Sequence, residues 1–167
     1  MITRDPKSGM RGTRRQIRGR CQMGVGLIEV MIAVLVLSIG FLGVGAMLAM
    51  SLSTNNSAMS RSMATMDSYT ILDAMRADLA NAKGGSYNGT VTGNACAAPS
   101  GAGGSLAQNQ LSHWCSQLAT DLRNPAKTTG TVNCSSAGEC TITIQFDDSR
   151  AGVSGTNQQQ IITKAIL

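Results

Sequence analysis

An apolar run, GVGLIEVMIAVLVLSIGFLGVGAMLAM, begins at Gly24, and no charged side chain appears from Val30 to Ser60. Val30–Met50 alone supplies 21 mostly apolar residues, enough to cross a hydrocarbon core of about 30 Å as a helix. A helix buried in a globular core is rarely apolar on every face for so long. The pattern therefore predicts a transmembrane helix over about 27–52. Beyond it, Met59, Met63, Met66, Leu72, Met75 and Leu79 recur at separations of three, four or six, read as one apolar helical face. No proline intervenes between Pro6 and Pro99, and Lys83-Gly84-Gly85 offers a basic last turn followed by glycines suited to a left-handed cap. The expectation is one helix from Val25 to about Lys83, roughly 85 Å long at 1.5 Å per residue. Its first half sits in lipid, and its second half lays a methionine-rich stripe on a core or subunit interface.

The remainder, 84–167, reads as a small head. Ser86–Gly104 is rich in Gly, Ala, Ser and Asn and reads as a loop. In SLAQNQLSHWCSQLATDLR, Ser105 and Gln108 form a capping box, and Leu111, Trp114, Cys115, Leu118 and Leu122 share a helical face. After Asn124-Pro125 the period changes to two. In CTITIQF, Ile142, Ile144 and Phe146 alternate with Thr141, Thr143 and Gln145. Asp147–Gly152 reads as a turn, and QQIITKAIL as a last strand. The fold class expected is α+β, with the distal half of a long N-terminal helix packed on a small antiparallel sheet.

Charge is distributed in a way that the net value of +5 conceals. Seven basic residues (Arg4, Lys7, Arg11, Arg14, Arg15, Arg18, Arg20) and one acid precede Val25; seven basic and eight acidic residues follow. A basic cluster just before a membrane helix fixes topology by staying cytoplasmic, so no specific nucleic-acid partner is expected. Four cysteines, Cys96, Cys115, Cys134 and Cys140, follow the span, and Cys21 precedes it. Four thiols on an exported domain suggest two disulfides, and three pairings are open. Cys134 and Cys140 flank SSAGE and would clamp a hairpin, leaving Cys96 for Cys115.

Glu29 stands out as an acid in an apolar helix, where insertion costs about 2.5–3.5 kcal/mol. Such a side chain has a partner or a task, unless it is an interfacial acid that reaches headgroups. Gly40, Gly43 and Gly45 support two accounts: close helix packing, or a weak point where the helix unwinds, since each glycine costs about 1 kcal/mol against alanine. His113 reads as a surface residue and Trp114 as core. Asp147 and Asp148 read as a solvated turn ahead of a calcium site. With no GxSxG, HExxH or P-loop motif and a single histidine, no enzyme activity, metal or cofactor is expected.

A basic leader, then Gly24, then an apolar helix with glutamate five residues later, resembles the class III signal of type IV prepilins and pseudopilins. The segment EVMIAVLVLSIGFLGVGAM and the closing TITIQFDD and QQQIITKAIL resemble PilV-type minor pilins. Val25 and Gly26 depart from the family's usual residues. The resemblance implies a leader, 1–24, cut between Gly24 and Val25 by a membrane prepilin peptidase/N-methyltransferase. It implies that Glu29 docks on the amine of a neighbouring subunit, with other minor pilins, the major pilin and an inner-membrane assembly platform as partners beside membrane lipid. The implied location is the bacterial inner membrane, with the N-terminus cytoplasmic and the head periplasmic, and later the pilus. Twitching motility, adhesion or DNA uptake are the implied activities. A type II secretion pseudopilin would share this signal, and a single-span anchored binding protein would retain residues 1–24.

Overall fold

The computed structural model describes residues 24–98, 104–151 and 155–167. Compact units divide the chain at Phe41/Leu42. In the first, the described residues are a short lead-in, Gly24–Gly26, and the start of helix α1 (Leu27–Ala77). The rest of α1 belongs to the second unit, followed by α2 (Leu79–Lys83), β1 (Gly89–Thr92), α3 (Leu106–Asp121), a 3-10 turn (Pro125–Lys127), β2 (Thr129–Cys134), β3 (Glu139–Phe146) and β4 (Gln159–Ile166). The strands form one antiparallel sheet in the order β1-β2-β3-β4. The fold is the expected α+β arrangement, a long N-terminal helix packed on a small antiparallel sheet.

The core lies between one sheet face and three helices. Ala64, Ile71, Leu72 and Met75 come from α1, Trp114 and Leu118 from α3, and Val132, Ile142, Ile144 and Phe146 from β2 and β3. The alternation in β3 holds, with Cys140, Ile142, Ile144 and Phe146 all buried. Apolar burial of this kind contributes about 25 cal/mol per Å². Gly130 in β2 is where the Trp114 ring meets the sheet; a Cβ there would lie 2.5 Å from the ring and 2.6 Å from Leu118. Ser105 closes the capping box with Gln108.

Three expectations are corrected. The long helix is interrupted at Asp78, whose φ and ψ of −127° and 51° are non-helical. Its carboxylate accepts from Asn81 Nδ2 at 2.8 Å and from the Tyr87 hydroxyl at 3.1 Å. A short acidic side chain that bonds its surroundings competes with helical geometry, and here it turns the chain into α2. That helix closes as a Schellman motif, with Gly85 N–H on Ala82 O at 3.1 Å and Ser86 N–H on Asn81 O at 2.9 Å. The left-handed residue is Gly85 (φ 78°), while Gly84 stays right-handed.

The methionine stripe does not stay on one face. Met75 and Leu72 are buried and Met63 half-buried, but Met59 and Met66 are exposed, as is Leu79. The six-residue step from Met66 to Leu72 rotates about a third of a turn away from a whole number of turns, so the two groups point apart. The stretch read as a loop from Ser86 to Gly104 also contains β1, paired from Gly89↔Val132 to Thr92↔Thr129. A four-residue edge strand without an apolar alternation carries little local signal.

Candidate functional site

The residues singled out at the start of the apolar run occupy a helix N-terminus. Gly24, Val25 and Gly26 precede α1, and Glu29 lies in its first turn. Gly26 O accepts from Glu29 N–H at 2.9 Å and from Val30 N–H at 3.2 Å, which begins the helical ladder. An acid at this end also faces the positive pole of the helix dipole. No side-chain partner for Glu29 occurs among the described residues. The Gly24–Val25 peptide is outside the helix and open: Val25 is 70% exposed, and a Cβ on Gly24 would meet nothing within 4 Å.

Every described residue up to Leu52 is exposed, including Leu27, Ile32, Leu35, Ile39, Phe41, Leu48 and Leu52. The helix is long and apolar enough to cross a membrane. The one hydroxyl between Leu27 and Met50, that of Ser38, donates to Val34 O at 2.7 Å, so that polar group needs no water. Gly40, Gly43 and Gly45 all lie inside unbroken α1, and apart from the helix's own local backbone nothing lies within 4 Å of where a Cβ would sit on any of them.

Burial within the chain begins just past this stretch. Ser53 donates to Arg150 O, and Ser57 donates to Asp148 Oδ2 at 2.6 Å. Arg61 Nη2 reaches the same carboxylate oxygen at 3.2 Å and Gln159 Oε1 at 3.3 Å. Asp148 is 6% exposed. Asp147 accepts from Lys127 Nζ at 2.9 Å, Asn124 Nδ2 at 3.2 Å and Ser149 N–H at 3.0 Å. The Ser149 and Lys127 bonds hold its carboxyl well below the usual carboxylate range. Both aspartates are thus occupied by cations and donors of the protein itself. A cavity of about 250 Å³ beside them is lined by Asn56, Ser60, Arg123 and Arg150. No group of three or more His, Cys, Asp or Glu able to hold a metal occurs among the described residues.

The four distal cysteines are bridged as Cys96–Cys115 and Cys134–Cys140. The second joins directly opposed residues of β2 and β3, and the first straps the segment after β1 onto α3. His113 is exposed and Trp114 is 1% exposed, with its Nε1–H on Asp67 O at 2.9 Å. Sequence reasoning missed Asp67, which is 3% exposed and has one carboxylate oxygen without a partner. Burial first, and then the Asp121 charge, push its carboxyl up to about 6. It also missed Tyr87, fully buried, whose hydroxyl is shared between Asp78 and Gln110. Neither position lies in a periodic pattern that marks a polar side chain as buried.

No family model matches this chain. Searches of curated proteins and of solved structures likewise found no match.

Proposed function

We propose that this chain is a minor pilin of a type IV pilus, made with residues 1–24 as a leader and carried in the inner membrane by the first half of α1. The observation that carries the reading is Glu29: an acid in the first turn of an exposed apolar helix, with no side-chain partner in the described chain, five residues after Gly24. A carboxylate placed in lipid is costly unless another chain supplies a charge to meet it. Cleavage after Gly24 creates such a charge, the amine of Val25, on every neighbouring copy or related subunit. Stacking one subunit on another then pairs Glu29 with that amine and neutralises both.

On this reading the basic residues 4–20 stay cytoplasmic, the peptidase/N-methyltransferase acts at the exposed Gly24–Val25 peptide, and the disulfide-bonded head lies in the periplasm, where oxidation is permitted. The chain acts with other minor pilins and the major pilin on the assembly platform, priming or joining the fibre. No catalytic role and no cofactor are assigned to it. Intact mass of the protein recovered from membranes tests the processing step, with loss of residues 1–24 expected and a full-length product refuting it. Glu29→Ala tests docking: cleavage persists, while recovery in sheared fibres falls at least tenfold. Incorporation at the wild-type level would remove the docking role.

A further inference from the structure

Between Ser53 and Leu167 the sequence carries seven basic and seven acidic residues, so the head is neutral as a whole. Its charge is not evenly placed. The cavity of about 250 Å³ beside the turn after β3 is lined by two acids, Asp147 and Asp148, and two arginines, Arg123 and Arg150. The acids have cations of their own, Lys127 for Asp147 and Arg61 for Asp148. Neither Arg123 nor Arg150 has an ion pair or a guanidinium hydrogen bond among the described residues. Asp121, two residues before Arg123, acts on Asp67 instead. Every charged residue of the head is a described one, so two positive charges stand unmatched at this cavity.

Arg123 is also held in an unusual backbone. It follows α3 with φ 57° and is the one left-handed residue other than glycine among the described residues. That place after a helix ordinarily goes to glycine or asparagine, because a Cβ there crowds the next carbonyl. Strain kept on the wall of a cavity points to a side chain that is used.

The cavity has a defined height on α1. The exposed apolar run ends at Leu52, and the next residue, Ser53, donates to Arg150 O. Asn56 and Ser60 on the cavity wall follow Leu52 by about 6 and 12 Å along the helix. A headgroup layer adds about 5–8 Å on each side of a hydrocarbon core. With 27–52 in that core, Arg150 and the near wall of the cavity stand at the level of lipid phosphates.

We propose that this cavity binds the phosphate of a membrane phospholipid headgroup. Guanidinium groups present planar forks that match phosphate oxygens, and the two acids do not oppose the charge because each is already neutralised. The volume lies below the roughly 300–1,000 Å³ of sites for drug-sized ligands, on the scale of one headgroup. A free phosphate ion offers the same oxygens. The lipid is favoured because its acyl chains continue along Leu48 and Leu52, both exposed on the core side of the cavity. The inference rests on α1 entering the membrane and not on pilus assembly.

The test uses the chain as recovered from membranes, in maltoside micelles, titrated with phosphatidylglycerol and separately with inorganic phosphate. Native mass spectrometry and the amide shifts of Arg123, Asn124 and Ser149 give the readings. The wild type retains one phosphatidylglycerol and those amides move, while inorganic phosphate at equal concentration moves them about tenfold less. Arg123→Gly, which relaxes the left-handed backbone, and Arg150→Gln each weaken retention about tenfold. Arg76→Gln, which removes a cation already paired with Asp73, leaves it unchanged. Near-ultraviolet dichroism of Trp114 confirms that each variant is folded, and the wild-type titrations need no variant. An equal response to inorganic phosphate assigns the cavity to a free ion and overturns the lipid. Retention that is absent, or the same in all three variants, overturns the proposal as well. Alkaline extraction of membranes separates the two readings: a chain that stays behind yet binds no phosphatidylglycerol fails this proposal alone, and one that is extracted fails both.

Discussion

The Ser57 hydroxyl donates to Asp148 at 2.6 Å across 91 residues of sequence, and Ser57 is the first residue of α1 to be buried against the head. One turn further on, Arg61 binds the same oxygen, so a single carboxylate anchors the turn after β3 to two successive turns of the helix. The residues before Ser53 make no such contact and are exposed throughout. The boundary between the bare apolar stretch and the stretch that meets protein is thus marked by polar bonds, not by a change in helix geometry.

Replacing Asp148 with alanine strands Ser57 and Arg61 together. The head is expected to lose about 2 kcal/mol, read as a drop of roughly 8 °C in the thermal midpoint of its near-ultraviolet dichroism. Ser57→Ala removes one neutral donor and should cost about 1 kcal/mol. Equal effects of the two would show that Arg61 adds nothing.

Asp67 makes the head more stable in mild acid. Its folded carboxyl titrates at about 6 against an ordinary 3.8, so the folded state holds the proton more tightly. Stability from this group is complete below the ordinary value, declines as pH rises from about 3.8 to 6, and is flat above. The span amounts to roughly 3 kcal/mol at most. Asp67→Asn should flatten that slope in urea titrations across the window and raise stability at pH 7. An unchanged slope would assign the effect to other carboxyls.

Tyr87 responds at the opposite end of the scale. Burial, then Asp78, push its hydroxyl up to about 12 from 10.0, so its contribution is held below pH 10 and lost as pH rises toward 12. Ultraviolet titration should show a tyrosine transition near pH 12 that vanishes in Tyr87→Phe. The same variant leaves Asp78 and Gln110 without their shared donor, at a cost of about 1–2 kcal/mol.

Gly130→Ala places a methyl group 2.5 Å from the Trp114 ring. Forcing atoms into a packed site costs about 1–3 kcal/mol, and the ring must shift, changing Trp114 fluorescence. A variant with native stability and an unmoved spectrum would mean that the β2–α3 contact is looser than described.

Much of the fold was legible because its signals are local. The Ser105–Gln108 box, the alternation in CTITIQF and the Gly84-Gly85 pair after Lys83 each act within a few residues of themselves, and the structure places α3, β3 and the end of α2 accordingly. The spacing around SSAGE likewise sufficed to suggest the Cys134–Cys140 clamp, since a tight hairpin sets opposed residues side by side. Asp78 was not legible. Its departure from the helix depends on Tyr87, which folds back from nine residues away. The direction of the methionines was equally hidden, because a step of six residues satisfies no face until a sheet selects one.

By itself, the sequence determined that one long apolar helix begins after Gly24 with an acid in its first turn, that a disulfide-rich head follows, and that the head mixes helix and alternating strand. These are properties of composition and period, carried by residues near one another in the chain. Only the tertiary structure decided which side of α1 is covered, that Ser86–Gly104 contributes an edge strand, and that Asp67, Tyr87 and Asp148 are buried. Burial is conferred by residues far away in sequence, and a polar side chain enters a core only where distant partners offset the loss of water.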